Sequence, residues 1–183
     1  MRITGGKYVR RQIVCPKGVI RPAMDRMRES LFSILGDLSG CAFLDLFSGS
    51  GIMAVEAAGR GASPVVAVEK DPIKKNVLYR NLSIIEENWK MRLMSVDRFL
   101  STDTGHYDIV YLDPPFPLSG KEKTLLKLSQ SGLVSNGGRV IIHFPQEEKL
   151  SEQIDRLFLY DERKYGRSRL YFYRYEDKNE KEQ

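Results

Sequence analysis

From residue 41 onward the chain alternates short apolar runs with segments of helical periodicity, and this alternation restricts the fold more than any other feature of the sequence. The apolar run 41–47 reads as a buried strand, 49–51 as a tight glycine turn, and 52–58 as a helix stopped by Gly59-Arg60-Gly61. Residues 65–69 form a second apolar strand, after which Asp71-Pro72 supplies an N-cap and a first-turn proline for a helix running to about residue 86. Residues 91–96 and 107–112 read as the third and fourth strands, 121–130 as a helix, Asn136-Gly137-Gly138 as a turn and 139–144 as another strand. Parallel strands need a crossover, and a helix packed on the sheet is the usual one, so repeated βα units predict a parallel sheet with helices on both faces. The end differs in character, because 157–161 and 169–175 flank Tyr165-Gly166-Arg167 and predict a closing antiparallel pair.

Ahead of this core, 1–4 and 7–14 are strand-like on either side of Gly5-Gly6 and predict a small basic hairpin. After Pro16 and Pro22 comes an amphipathic helix with Asp25 as its expected N-cap and Met27, Leu31, Ile34 and Leu35 on its apolar face. A chain of 183 residues is enough for one α/β domain, so the expected organisation is an N-terminal basic extension (1–24), one catalytic domain (25–175) and a polar tail (176–183). Cys15 and Cys41 lie far apart with no CxxC spacing and no Cys/His cluster, which predicts neither a disulfide nor a metal site. No apolar run reaches membrane-spanning length, and the N-terminus has no secretory signal pattern, so a cytoplasmic location without membrane contact is expected.

The net charge of +5 is unevenly placed. Residues 1–28 hold eight Lys/Arg against Asp25 alone, leaving 21 basic and 23 acidic residues in the rest. A second basic group, Arg163, Lys164, Arg167, Arg169 and Arg174, is interleaved with Tyr165, Tyr171, Phe172 and Tyr173. Cations attract phosphates and aromatic rings stack on bases, so both groups suit a nucleic acid; a solvated surface accounts for the same charges equally well.

Two motifs carry chemistry. The first is Asp45-Leu46-Phe47-Ser48-Gly49-Ser50-Gly51, a strand entering a glycine turn and then a helix. Ligands of open α/β sheets bind beyond the carboxyl ends of the strands, where glycines let the backbone come close. The spacing Gly49-x-Gly51-x-x-Ala54, with Glu69 twenty residues after Gly49, also fits a dinucleotide fingerprint. Asp45 tilts the choice, since a carboxylate there would repel a pyrophosphate but suits the ammonium of S-adenosylmethionine. The expected cofactor contacts are Asp45, Phe47, Ser48, Gly49, Ser50, Gly51 and Lys70, with Glu69 for the ribose hydroxyls and Asp97 for the adenine amino group. Asp97 reads equally well as an N-cap.

The second motif, Asp113-Pro114-Pro115-Phe116, ends the fourth strand. An exocyclic amine is a poor nucleophile because its lone pair is delocalised, so acceptors must hold both N–H bonds and free the lone pair. Asp113 and the Pro114 carbonyl can do this while Phe116 stacks on the base, which makes Asp113, Pro114 and Phe116 the candidate catalytic residues. His106 and His143 read as strand-end or core histidines without a catalytic role.

The chain resembles the bacterial RsmD-type ribosomal RNA guanine-N2 methyltransferases. The resemblance is carried by Arg2-Ile3-Thr4-Gly5-Gly6-Lys7, by Arg21-Pro22 with Asp25-Arg26 and Arg28-Glu29-Ser30-Leu31-Phe32, by the glycine loop through Glu56-Ala57 to Arg60-Gly61-Ala62, and by Asp113–Phe116. It implies a Rossmann-like class I methyltransferase sheet of seven strands with the last antiparallel, S-adenosylmethionine as cofactor, and N2-methylguanine in small-subunit ribosomal RNA as product. The substrate would be that RNA or an assembled small-subunit particle, and a monomer is expected. Arg2, Lys7, Arg10, Arg11, Arg21, Arg26 and Arg28 are the candidate RNA-binding cations. The chain departs from the family at Ala23-Met24, where a Thr-Thr-like pair is usual, and at His143, where an acidic residue is common. DNA adenine-N6 or protein amide methylation would use the same motifs. A non-enzymatic RNA-binding module would leave Asp45, Glu69 and Asp113 unexplained, and an NAD-linked oxidoreductase conflicts with Asp45.

Overall fold

A computed structural model describes residues 1–15 and 22–177. In chain order the elements are α1 (Pro22–Leu35), β1 (Phe43–Leu46), α2 (Ile52–Gly59), β2 (Val65–Glu69), a 3-10 turn (Pro72–Lys74), α3 (Lys75–Leu82), β3 (Trp89–Leu93), α4 (Val96–Thr102), β4 (Tyr107–Leu112), α5 (Lys121–Gln130), β5 (Val134–Pro145), β6 (Gln153–Ile154), β7 (Leu157–Tyr165) and β8 (Ser168–Tyr175). They build one sheet in the order β3-β2-β1-β4-β5-β8-β7-β6. The pairs β1–β2, β1–β4, β2–β3 and β4–β5 are parallel, and β8 inserts antiparallel between β5 and β7. The strand count is therefore eight rather than seven. The extra strand, β6, is a two-residue edge piece paired with Leu157 and Phe158, too short to carry a period of its own.

The near-continuous apolar runs follow from burial of both faces. In β1, Phe43 enters a core with α1, α2 and α3, while Leu44 and Leu46 enter a second core with α4 and α5. Tyr171 and Tyr173 point into the second core and Phe172 into the first, so these three aromatics of the C-terminal basic cluster are packing residues rather than a stacking surface, whereas Tyr165 is half-buried and lines an open cleft. Three of the interleaved cations have carboxylate partners: Arg163 with Asp161 (3.0 Å), and Lys164 and Arg169 with Glu162 (3.5 and 3.6 Å).

Three local readings change. The first helix begins at Pro22, so Asp25 lies in its first turn rather than at its cap and pairs with Arg28 (3.0 Å). The helix after Asp71 is split into the 3-10 turn and α3 and stops at Leu82, although Asp71 does cap it by accepting from Ile73 N (3.0 Å). The N-terminal hairpin reduces to one antiparallel bridge, Arg2 with Gln12, and of its central residues Tyr8 turns inward while Gly6, Lys7, Val9 and Arg10 stay exposed. The cause is Tyr8, which is fully buried in the first core with Ile3 and Ile13; its hydroxyl accepts from Glu86 N (3.0 Å).

The same inward turn explains the motif Arg2–Lys7. Gly6 (φ 70°) lies so close to α2 that a Cβ would sit 2.0 Å from the Gly59 carbonyl, which accepts from Lys7 N (2.6 Å). Next to it the fully buried Glu56 accepts from Thr4 N (2.8 Å), Thr4 Oγ1 (2.9 Å), Arg28 Nε (2.8 Å) and Arg60 Nη1. Arg28 also donates to the Arg2 carbonyl (2.9 Å) and is 3% exposed. Arg28 is thus not an RNA-facing cation, because its guanidinium is buried and spent on Glu56, Asp25 and Arg2. Among the described residues no helix is long and apolar enough to cross a membrane.

Candidate active site

The strand order reverses between β1 and β4, and there the carboxyl ends of the parallel strands leave a crevice. Phe47 ends β1 in a left-handed conformation (φ 62°), a strained state for an aromatic residue that turns the chain into the glycine loop. Ser48 N donates to Val68 O (2.9 Å), tying the loop to β2. Gly51 (φ 79°) starts α2 where a Cβ would meet Leu78 Cδ1 at 2.7 Å, so α2 lies close on α3 only because this residue has no side chain. The Asn81 amide, buried between elements, donates to Ser50 O (2.7 Å) and Val14 O (2.8 Å) and accepts from Val14 N (3.0 Å).

Asp45 lies under this loop, 1% exposed. Its Oδ2 accepts from Ser48 Oγ (2.6 Å), and its Oδ1 is buried with no hydrogen-bond partner. Burial pushes its carboxyl up to about 7, against the opposing hydrogen bond from Ser48, with the negative charge of Asp113 adding to the rise. An unpartnered buried carboxylate oxygen fits a cationic ligand group, which is what the amino-acid end of S-adenosylmethionine provides. At the end of β2, Glu69 accepts from Gly49 N and Asp71 N (both 2.9 Å) and lies 3.4 Å from Lys74, so its carboxylate is fixed at the crevice edge. Lys70, exposed, lines the same crevice.

Of the two readings of Asp97, the structure overturns the N-cap. Ser95 caps α4, accepting from Arg98 N (3.3 Å), so Asp97 is not the N-cap. Its carboxylate is 67% exposed and pairs with Lys127 at 2.5 Å.

The second motif faces the first across the crevice. Asp113 N donates to Leu46 O (3.2 Å), joining the ends of β4 and β1. Asp45 and Asp113 line one cavity of about 130 Å³, together with Phe47, Ser48, Gly49 and Tyr111. Phe47 and Asp113 also line an open cleft of about 1180 Å³ that runs from Glu69 past Pro114, Pro115 and Phe116 to Arg167 at the tip of the β7–β8 hairpin. Met24 of α1 lines both spaces.

Two residues of this site have no sequence motif. Lys121, 4% exposed, donates to Phe116 O (3.0 Å), Leu118 O (2.8 Å) and Glu148 Oε1 (2.9 Å), which fixes the loop after Asp113–Phe116. His143, 2% exposed, places Nδ1 2.8 Å from Asp113 Oδ1, and its ring meets Phe116 edge-on at 5.1 Å. The signal for His143 lies in the sheet register, since Leu112 pairs with Ile142 and the next step brings Asp113 beside His143.

Of the candidate RNA-binding cations, Arg2, Lys7, Arg10, Arg11 and Arg26 are exposed, and Arg21 lies outside the described residues. Lys7 is paired with Glu86 (3.0 Å) and Glu87 (2.9 Å), and Arg11 lies over the Tyr8 ring. Arg2 and Arg10 line a groove beside α1. Among the described residues no group of three or more His, Cys, Asp or Glu could hold a metal ion.

The crevice therefore combines a buried carboxyl beneath a glycine loop, a second, fixed carboxylate at the end of β2 and an acceptor pair beside a flat ring, a set of groups able to hold a cationic group against an amine. The chain is similar in sequence and fold to known proteins. Ribosomal RNA small subunit methyltransferase D of Escherichia coli K12 is 29% identical over 153 residues, covering 82% of this chain and 77% of its own. The protein of the same name from Haemophilus influenzae is 28% identical over 158 residues, covering 82% and 81%. The solved structure of yhhF from Escherichia coli superposes with a TM-score of 0.86 at 29% identity, covering 96% of this chain and 98% of that one. SMU.776, solved in complex with SAH, shares the fold at a TM-score of 0.66 and 18% identity. The family model described as Conserved hypothetical protein 95 matches residues 1–174, and the chain belongs to that family, the RsmD family.

Proposed function

We propose that this protein transfers a methyl group from S-adenosylmethionine to the exocyclic N2 of a guanine in small-subunit ribosomal RNA. The observation that carries the reading is the single cavity shared by Asp45, with its unpartnered buried oxygen, and Asp113, with its amine-holding motif. When bound, S-adenosylmethionine supplies an electrophilic methyl group on a sulfonium. Asp45 Oδ1 would accept from the cofactor's ammonium and Glu69 from its ribose hydroxyls, with the glycine loop leaving room beside them. One Asp113 oxygen and the Pro114 carbonyl accept the two N–H bonds of the target amine, and Phe116 stacks on the base and sets its plane. Asp113 is also the adjacent acceptor for the proton that the amine loses. Rate enhancement comes chiefly from orientation and charge placement rather than from a strong base.

The test is transfer of labelled methyl to unmethylated small ribosomal subunits, free ribosomal RNA and duplex DNA, followed by nucleoside analysis. N2-methylguanosine from the ribosomal substrates is expected, with the Asp113→Ala variant slower by about 10²–10³-fold, the usual effect of removing one preorganised polar group. N6-methyladenine in the DNA arm, or transfer unaffected by Asp113→Ala, would replace this reading.

A further inference from the structure

His143 is buried on β5, and its polar atoms have one hydrogen-bond partner between them. Nδ1 meets Asp113 Oδ1 at 2.8 Å, while Nε2 is buried with no partner. A carboxylate offers only acceptors, so this contact puts the ring proton on Nδ1. Leaving Nε2 unsatisfied opposes folding, and an apolar side chain of similar size would avoid that cost. Packing therefore does not account for a histidine here. Its ring also backs Phe116, edge to face at 5.1 Å with the planes at 70°, so one side chain touches both the acceptor and the stacking wall of the amine site.

We propose that His143 is a positioning residue for amine methylation. Its Nδ1–H holds Asp113 Oδ1, which fixes the carboxylate's rotation and leaves Oδ2 for the target N–H, and its ring edge holds the plane of Phe116. This role rests on the reading of Asp113 and Phe116 as the amine-holding pair. It belongs to the transition-state geometry rather than to cofactor binding, because Asp45, Glu69 and the glycine loop reach their positions without His143.

The chain has two histidines, His106 and His143, so isotope-labelled histidine gives a two-ring imidazole spectrum. His143 is expected in the Nδ1–H form in the wild type and to leave that form in Asp113→Ala. In steady-state assays on small subunits, His143→Leu should lower kcat by about 10²-fold, the scale of a roughly 1 Å misplacement, with the Kd for S-adenosylmethionine unchanged and Tm unchanged or higher. His143→Asn, which can present an N–H at the Nδ1 position, should recover most of the activity. A wild-type Nε2–H form, or a His143→Leu variant with wild-type kcat, overturns the proposal. Wild-type protein with no transfer to any substrate would instead remove the methyltransferase reading, and the imidazole spectrum would still decide the His143–Asp113 pair.

Discussion

In the proposed function, Asp45 couples proton and cofactor. Its carboxyl is raised to about 7 by burial, whereas an exposed aspartate in the unfolded chain titrates near pH ~3.9. The stability it contributes is therefore full below the unfolded value and is lost as pH rises through about 7, because only the native state holds the proton there. Cofactor binding runs the opposite way, since an ammonium favours the ionised form and binding must release that proton. The Kd for S-adenosylmethionine is expected to tighten about fivefold between pH 6 and pH 7, following the ionised fraction of one such group. Calorimetry across that interval checks it, with Asp45→Asn as the control that should bind weakly and without this slope. The role proposed for Asp45 is read from its place before the glycines. The role of His143 was not, because the residue stands alone in an apolar run and acquires meaning only when β5 is paired with β4.

Between elements, the buried cluster of Glu56, Arg28, Arg60 and Thr4 holds α2, α1 and the N-terminal segment to one another. Removing the shared carboxylate leaves Arg60 without its carboxylate partner and the almost fully buried Arg28 with only the partly exposed Asp25. Glu56→Gln should therefore lower unfolding free energy by about 3–5 kcal/mol, the cost of breaking a buried pair from one side. Urea unfolding would show it as a fall in midpoint, and a change below about 1 kcal/mol, the range of exposed pairs, would place the cluster among ordinary surface pairs. The motifs that carry the family resemblance thus fall into two groups. Asp45–Gly51 and Asp113–Phe116 build the crevice, while Thr4, Gly6, Arg28, Glu56 and Arg60 lock the elements that cover it. Charge alone did not separate Arg28 from the exposed Arg26, since the distinction depends on which face of α1 meets Glu56.

At the scale of the whole molecule, the cleft runs from Glu69 and Lys70 at the end of β2, past Met24 of α1 and Phe116, to the tip of the β7–β8 hairpin. Arg10 lines the separate groove beside α1, Arg26 is exposed on α1, and Arg167 lies at the hairpin tip with no carboxylate partner among the described residues. If these cations meet RNA phosphates, charge reversal of all three should weaken RNA binding and reduce the slope of log K against log salt by about 0.7 for each single-strand phosphate no longer neutralised. Filter binding from low to moderate salt gives the slope, and an unchanged value would assign these residues to solvent. The sequence by itself determined the βα order, the two crevice motifs and the antiparallel close, because these follow from local periodicity, turn chemistry and the distance between strand ends. Tertiary structure alone decided which arginine is buried, that Tyr8 turns the N-terminal segment inward, that Ser95 rather than Asp97 caps α4, and that His143 stands against Asp113. Each of these depends on side chains from distant parts of the chain competing for one interior, and a linear pattern carries no record of which of them wins.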